Sequence, residues 1–286
     1  MLSHVRTRRA LAATVGVIAL ATVSSPVSTA TTNDPLRPKQ WGLNQIHAEA
    51  AWQTSTGTGA VVAVVDTGVD LTHPDLAGQL VAGTTFAGCP AGQRPCSDGN
   101  FKGPDRQNNG DEHGTHVAGI IAAATNNGTG IAGVAPDARI MPVKVLEGGS
   151  GSYEDIADDV ICVAATDRNE LKSYYSELPV KPDLKAVAAP GGAGLVSCDD
   201  DIWSTVPTGT GSAKCGQSAY DAYAGTSMAT PHVAGVAALL FAQGRNVNQV
   251  ETALLTTARQ PVLGVRGVYT PVYGYGIVDA QAAVAS

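Results

Sequence analysis

From Ala60 to Val65 the chain reads AVVAVV, an unbroken apolar and mostly β-branched run that halts at Asp66-Thr67-Gly68. Such a run predicts a strand buried on both faces of a parallel sheet. His116 to Ala124, HVAGIIAAA, shifts to helical spacing, and Arg139 to Leu146, RIMPVKVL, returns to a strand with an edge or bend at Pro142. Ser152, followed three residues later by Asp155, marks a helix start running to about residue 160, and Val160 to Ala165 is a further short strand. No Gly, Asn or Pro stop separates these last two elements, although a helix normally needs one before the chain reverses. Towards the end, SMATPHVAGVAALLFA predicts a long apolar helix with Pro231 in its first turns, VNQVETALLTTA an amphipathic helix, and VDAQAAVA a closing one. Strands alternating with helices predict an α/β fold built on a parallel sheet. The Gly-, Asn- and Pro-rich stretch from Thr84 to Gly110 predicts a surface loop, and no internal repeat is present.

The first thirty residues depart from this pattern. Arg6, Arg8 and Arg9 precede an acid-free apolar run from Ala10 to Val23, and Ser28-Thr29-Ala30 supplies the small residues of a cleavage site. Residues 1–30 therefore read as a secretory signal peptide and 31–286 as one domain exported to the extracellular space. The apolar run is too short for a membrane anchor, which needs about 20 residues. The whole chain carries a net charge of -7, and losing the three arginines makes the remainder more acidic, which excludes nucleic acid as a partner. A monomer is expected. Five cysteines in an exported chain favour disulfides, with Cys89–Cys96 and Cys198–Cys215 as the local pairs, and leave Cys162 as a small buried strand residue.

Asp66 closes a strand, His113 opens a helix, and Ser227 opens another, the positions where functional groups gather in a parallel α/β sheet. Taken singly, each has an ordinary structural role as turn residue, surface histidine or helix cap. Taken in order, VVAVVDTGVD, HGTHVAGIIAA and GTSMATPHVAG resemble the three signature blocks of the subtilisin-like serine proteases, peptidase family S8, and the likeness runs from Asn33 to about Ala285. It implies a three-layer α/β fold with helices on both faces of a parallel sheet. It also implies an acyl-transfer peptidase acting on protein or peptide substrates, with Ser227 as nucleophile, His113 as general base and Asp66 as the acid that orients it. His116 and His232 fall at structural positions of the same blocks.

Two further correspondences follow from the resemblance. NDP at 33–35, HPDL at 73–76 and AATNNGTGIAGVAP at 123–136 resemble a calcium site, with ligands from the carboxylates of Asp34 and Asp75, the side-chain oxygen of Asn127, and the carbonyls of Ala124, Thr129 and Ile131. EGGSGSY matches the edge along which family members pair an extended peptide, so Gly149, Ser150 and Gly151 are the expected substrate contacts.

One departure from the family pattern explains the absent stop signal. Relatives place two more strands and the helix between them before the VAATD-like strand, whereas this chain passes directly from DIADDV to ICVAATD. The expected fold therefore lacks two central strands. With them go an SLGG-like pocket wall and the AAGN-like asparagine of the oxyanion hole, for which Asn169 is no obvious substitute. Two functional classes remain: a secreted endopeptidase impaired by these losses, and a calcium-binding pseudopeptidase that binds peptides without turnover. A deletion in the gene or its reading frame is a third origin for the sequence.

Overall fold

The computed structural model describes residues 32–99, 112–147, 160–179, 184–195 and 197–286. Two short helices, α1 (Trp41–Gln45) and α2 (Ala48–Ala51), lead into β1 (Val61–Asp66) and the two-residue β2 (Thr84–Thr85). Then come α3 (His113–Ala122), β3 (Arg139–Lys144), β4 (Cys162–Thr166), β5 (Ala186–Pro190), β6 (Ile202–Thr205) and β7 (Tyr220–Tyr223). The chain ends with α4 (Thr226–Ala242), α5 (Val247–Thr257) and α6 (Ala280–Val284).

The strands form an α/β arrangement in which the parallel sheet is in two parts. β3 lies between β1 and β2, and among the described residues β4 pairs with β5 alone, both in parallel register, while β6 and β7 form an antiparallel pair. No strand among the described residues joins β1 to β4. The AVVAVV run forms the expected strand, but the expectation that it is buried on both faces is corrected. Val61 is 51% exposed and Val65 61%, because β1 is an edge strand of its three-stranded sheet. A run this apolar is suited to a second flanking strand, and none stands on its open side among the described residues. Cys162, expected to be buried, is exposed on β4 for the same reason.

Pro142 sits in the middle strand rather than at an edge, opposite Val64. Its missing N–H falls on the side of the short β2, between the backbone bonds of Ile140 and those of Lys144, so no ladder bond is lost to β1. Short β2 and a disulfide between Cys89 and Cys96 order part of the loop expected from Thr84 onward. A second disulfide joins Cys198 to Cys215.

The core gathers around α3 and α4, which pack on each other through small residues. A Cβ at Gly235 of α4 would come within 2.6 Å of Val134, so glycine is what lets the helix approach this closely. Ile120, Ile121, Val236, Leu239 and Leu240 fill the space around it. Because α4 buries residues on most of its circumference, its sequence shows little amphipathic alternation. The amphipathic α5 is capped by Asn246 and Gln249 in a reciprocal box, and Asp279 caps α6. The helix expected from Ser152 to about residue 160 lies outside the described residues, as do residues 1–30.

Candidate active site

Asp66 ends β1, and its neighbours fix where its carboxylate points. The backbone carbonyl of Asp66 accepts N–H groups from Val145 and Leu146, while Oδ1 accepts the Thr67 N–H at 2.7 Å. Lys144 is fully buried, and its Nζ donates to the carbonyls of Thr67 at 2.6 Å and Leu146 at 2.9 Å, tying together the C-terminal ends of β1 and β3. A buried ammonium is tolerated when hydrogen-bonded in this way. Thr67 Oγ1 then accepts the N–H of Gly114, which docks the first turn of α3 onto the end of β1.

That docking delivers His113. Its Nδ1 lies 2.9 Å from both Oδ1 and Oδ2 of Asp66, so an Nδ1–H tautomer donates to the carboxylate and leaves Nε2 as an acceptor. Burial on its own would lower the imidazole pKa, but the hydrogen bond and charge of Asp66, aided by Glu112, raise it above the usual histidine value.

Ser227 is the second residue of α4 and is exposed. The approach to it is fixed by backbone bonds, Gly225 N–H to Gly191 O at 2.9 Å and Met228 N–H to Gly225 O at 3.0 Å, and by the Tyr175 hydroxyl donating to Gly191 O at 2.7 Å. Among the described residues neither its hydroxyl nor its N–H is engaged in a hydrogen bond. Of the three residues singled out from sequence, Asp66 and His113 are thus in direct contact, while Ser227 makes no hydrogen bond to His113. The helices that carry His113 and Ser227 nonetheless pack directly against each other.

His116 and His232 are buried and serve the scaffold. His116 stacks on Tyr223 with ring centroids 4.3 Å apart, and burial lowers its pKa to about 3. His232 is engaged through Nδ1 with the Met228 carbonyl at 2.8 Å, and burial lowers its pKa to about 4. Both are neutral at pH 7. The hydroxyls of Ser204 and Thr205 on β6 donate to the carbonyls of His116 and Thr115, a pair of anchors for α3 that the sequence did not signal.

The expected calcium ligands converge from their three segments. Asp34 accepts the N–H groups of Asn126 at 3.0 Å and Asn127 at 3.1 Å. Asp75 accepts the Asn127 side-chain amide at 2.8 Å and the Ile131 N–H at 2.9 Å. Both aspartates are buried, and burial pushes the Asp75 carboxyl up to about 6, the Ile131 and Asn127 donors opposing and the Asp34 charge adding to the rise. The carbonyl oxygens of Ala124, Thr129 and Ile131 accept no hydrogen bond among the described residues. Two buried like charges beside uncommitted carbonyl oxygens make a donor set that fits a hard cation. The expectation for the Asn127 side-chain oxygen is corrected: Oδ1 accepts the Thr129 N–H at 2.8 Å and it is the amide nitrogen that faces Asp75, and no cluster of three or more His, Cys, Asp or Glu is found among the described residues.

The expected substrate contacts Gly149, Ser150 and Gly151 lie outside the described residues. Asn169 is exposed in the turn after β4, where its N–H bonds to Asp167 Oδ1 at 2.8 Å.

Comparison with known proteins shows the family and the fold. The Peptidase_S8 subtilase family profile matches residues 57–169 and 152–276, two stretches that overlap near the start of β4. Thermitase of Thermoactinomyces vulgaris is 35% identical over 315 aligned positions, covering 89% of this chain and 99% of thermitase. An extracellular protease of Xanthomonas campestris is 31% identical over 341 positions, covering 90% of this chain and 57% of that protein. Among solved structures, a protease of Pseudoalteromonas arctica superposes with a TM-score of 0.69 at 29% identity, covering 90% of this chain and 99% of that one. Both sequence alignments are longer than the 286-residue chain, so stretches of each relative stand opposite gaps in it. The family profile matches in two stretches, and among the described residues no strand joins β1 to β4.

Proposed function

We propose, from the premise that this chain belongs to the subtilase family of serine proteases, that it is a secreted, monomeric endopeptidase working through Asp66, His113 and Ser227. The observation that carries this reading is the His113–Asp66 contact at 2.9 Å, which leaves Nε2 free to act as a base. His113 takes the Ser227 proton as the hydroxyl attacks the peptide carbonyl, and returns it to the leaving amine. Asp66 holds the tautomer and stabilises the imidazolium. The uncommitted N–H of Ser227, at the positive end of α4, is available to the developing oxyanion. A second donor is not supplied by Asn169. In a subtilisin, removing one such donor costs about 2.7 to 4 kcal/mol, enough to slow turnover heavily without abolishing it.

Asp34, Asp75, Ala124, Thr129 and Ile131 would hold calcium. When bound, the ion would neutralise the two buried carboxylates and tie the N-terminal segment to the loop after α3. Export is supported by the arginine-led apolar run of residues 1–30. No helix among the described residues is long and apolar enough to cross a membrane.

A second reading, a pseudopeptidase that binds peptides without turnover, is favoured by the absent Ser227–His113 hydrogen bond and the missing oxyanion asparagine. Fluorophosphonate labelling decides between the two. A covalent adduct on Ser227 of the calcium-loaded protein is expected for the enzyme. A cooperatively melting, unlabelled protein would leave the pseudopeptidase.

A further inference from the structure

Tyr220, the first residue of β7, reaches across to the loop that carries the carbonyls of Thr129 and Ile131. Its ring stands edge-on to His73, with centroids 5.4 Å apart and planes at 88°, and His73 Nδ1 in turn accepts the backbone N–H of Asp75 at 3.1 Å. It packs on the apolar cluster that contains Ile131, and a Cβ at Gly130 would overlap its hydroxyl. Gly130 also has a φ of +49°, so the backbone and the phenol both require glycine between the two carbonyls. The loop is shaped around this one side chain.

The Tyr220 hydroxyl is shut off from solvent and makes no hydrogen bond among the described residues. Burying a hydroxyl without a partner is costly, and phenylalanine would fill the same space without that cost. The group it faces is the Asp75 carboxyl. Asp75 accepts one donor at each oxygen, the Asn127 amide at 2.8 Å and the Ile131 N–H at 2.9 Å. A carboxylate offers about four lone-pair sites, which leaves room for a hydroxyl and for a cation together.

We infer that the Tyr220 hydroxyl donates to the Asp75 carboxylate when calcium is held and so sets how tightly the ion binds, as a positioning residue outside the ligand set. Such a donor orients a carboxylate for its metal, which a ring without the oxygen does not do. The inference rests on the proposed calcium site.

Calorimetric titration with Ca²⁺ compares the wild type with Tyr220→Phe, which keeps the ring and its packing. The variant is expected to bind about tenfold more weakly, the loss usual for a group that orients a ligand. Its Tm in EDTA is expected to match that of wild type, whereas a merely structural hydroxyl would lower that Tm and leave the affinity alone. An unchanged affinity overturns the inference and leaves the calcium site standing. If the variant does not fold, the wild type decides: Ca²⁺ is expected to produce a tyrosine difference-absorption band, because a phenol that gains an acceptor shifts its absorption, and a flat spectrum overturns the inference. Failure of the wild type to bind Ca²⁺ at all overturns the calcium site and the inference with it.

Discussion

His113 Nδ1 is 2.9 Å from each carboxylate oxygen of Asp66, a contact set up by the Thr67–Gly114 bond that docks α3 onto the end of β1. This contact raises the imidazole pKa above its unfolded value of about 6.5. The stabilisation it gives the fold is complete below that value and is lost as pH rises through the folded pKa. A general base must be neutral, so the acid limb of the kcat/KM profile is expected above about 6.5. In Asp66→Asn the limb should move to lower pH and kcat should fall by about 10⁴-fold, as removal of the acid does in another serine protease. A pH–rate profile of the two proteins checks both.

Ser227→Ala is expected to abolish hydrolysis and phosphonate labelling. Because Ser227 is exposed and its hydroxyl has no hydrogen bond among the described residues, stability should stay within about 0.5 kcal/mol of wild type. Residual activity equal to the parent in this variant would remove the nucleophile assignment, and denaturant melts check that the fold is intact.

Stripping the protein with EDTA is expected to lower its Tm, and added Ca²⁺ to restore it. At a hundredfold excess over Kd the ion would contribute about 2.7 kcal/mol. Asp75→Asn should abolish the response to Ca²⁺. Thermal melts with and without the ion settle it: identical curves for the wild type would mean that Asp34 and Asp75 hold no cation.

Gly119→Ala should be strongly destabilising. The added methyl would collide with the hydroxyls of Thr205 and Ser204, which are committed to the carbonyls of Thr115 and His116. Overpacking of this kind costs about 1 to 3 kcal/mol, measurable as a lower urea midpoint at constant slope.

Replacing Cys198 and Cys215 by serine should cost about 2 to 4 kcal/mol, and replacing Cys89 and Cys96 less, because the loops closed span 17 and 7 residues. Calorimetry of the two double variants tests the order.

Much of this site was legible in the sequence because its parts stand at element ends. The AVVAVV run, stopping at Asp66, and the glycine-rich starts of α3 and α4 placed three chemical groups at strand and helix termini. The disulfide pairs were legible from proximity along the chain. What misled was burial. A strand's composition records the neighbours it is suited to, and among the described residues neither β1 nor Cys162 has them. Short strands such as β6 and β7 escaped notice because Trp203, Ser204 and Thr205 show no clean alternation, and all are buried on contacts remote in sequence. The Ser204 and Thr205 anchors were invisible for the same reason.

The unjoined sheet also has a mechanical meaning. With no strand bridging β1 and β4 among the described residues, α4 is a brace that packs on β1 on one side and on β4 and β5 on the other. The helix that carries Ser227 is therefore one of the links between the two halves, and loosening it would slacken them and misalign the hydroxyl in one movement.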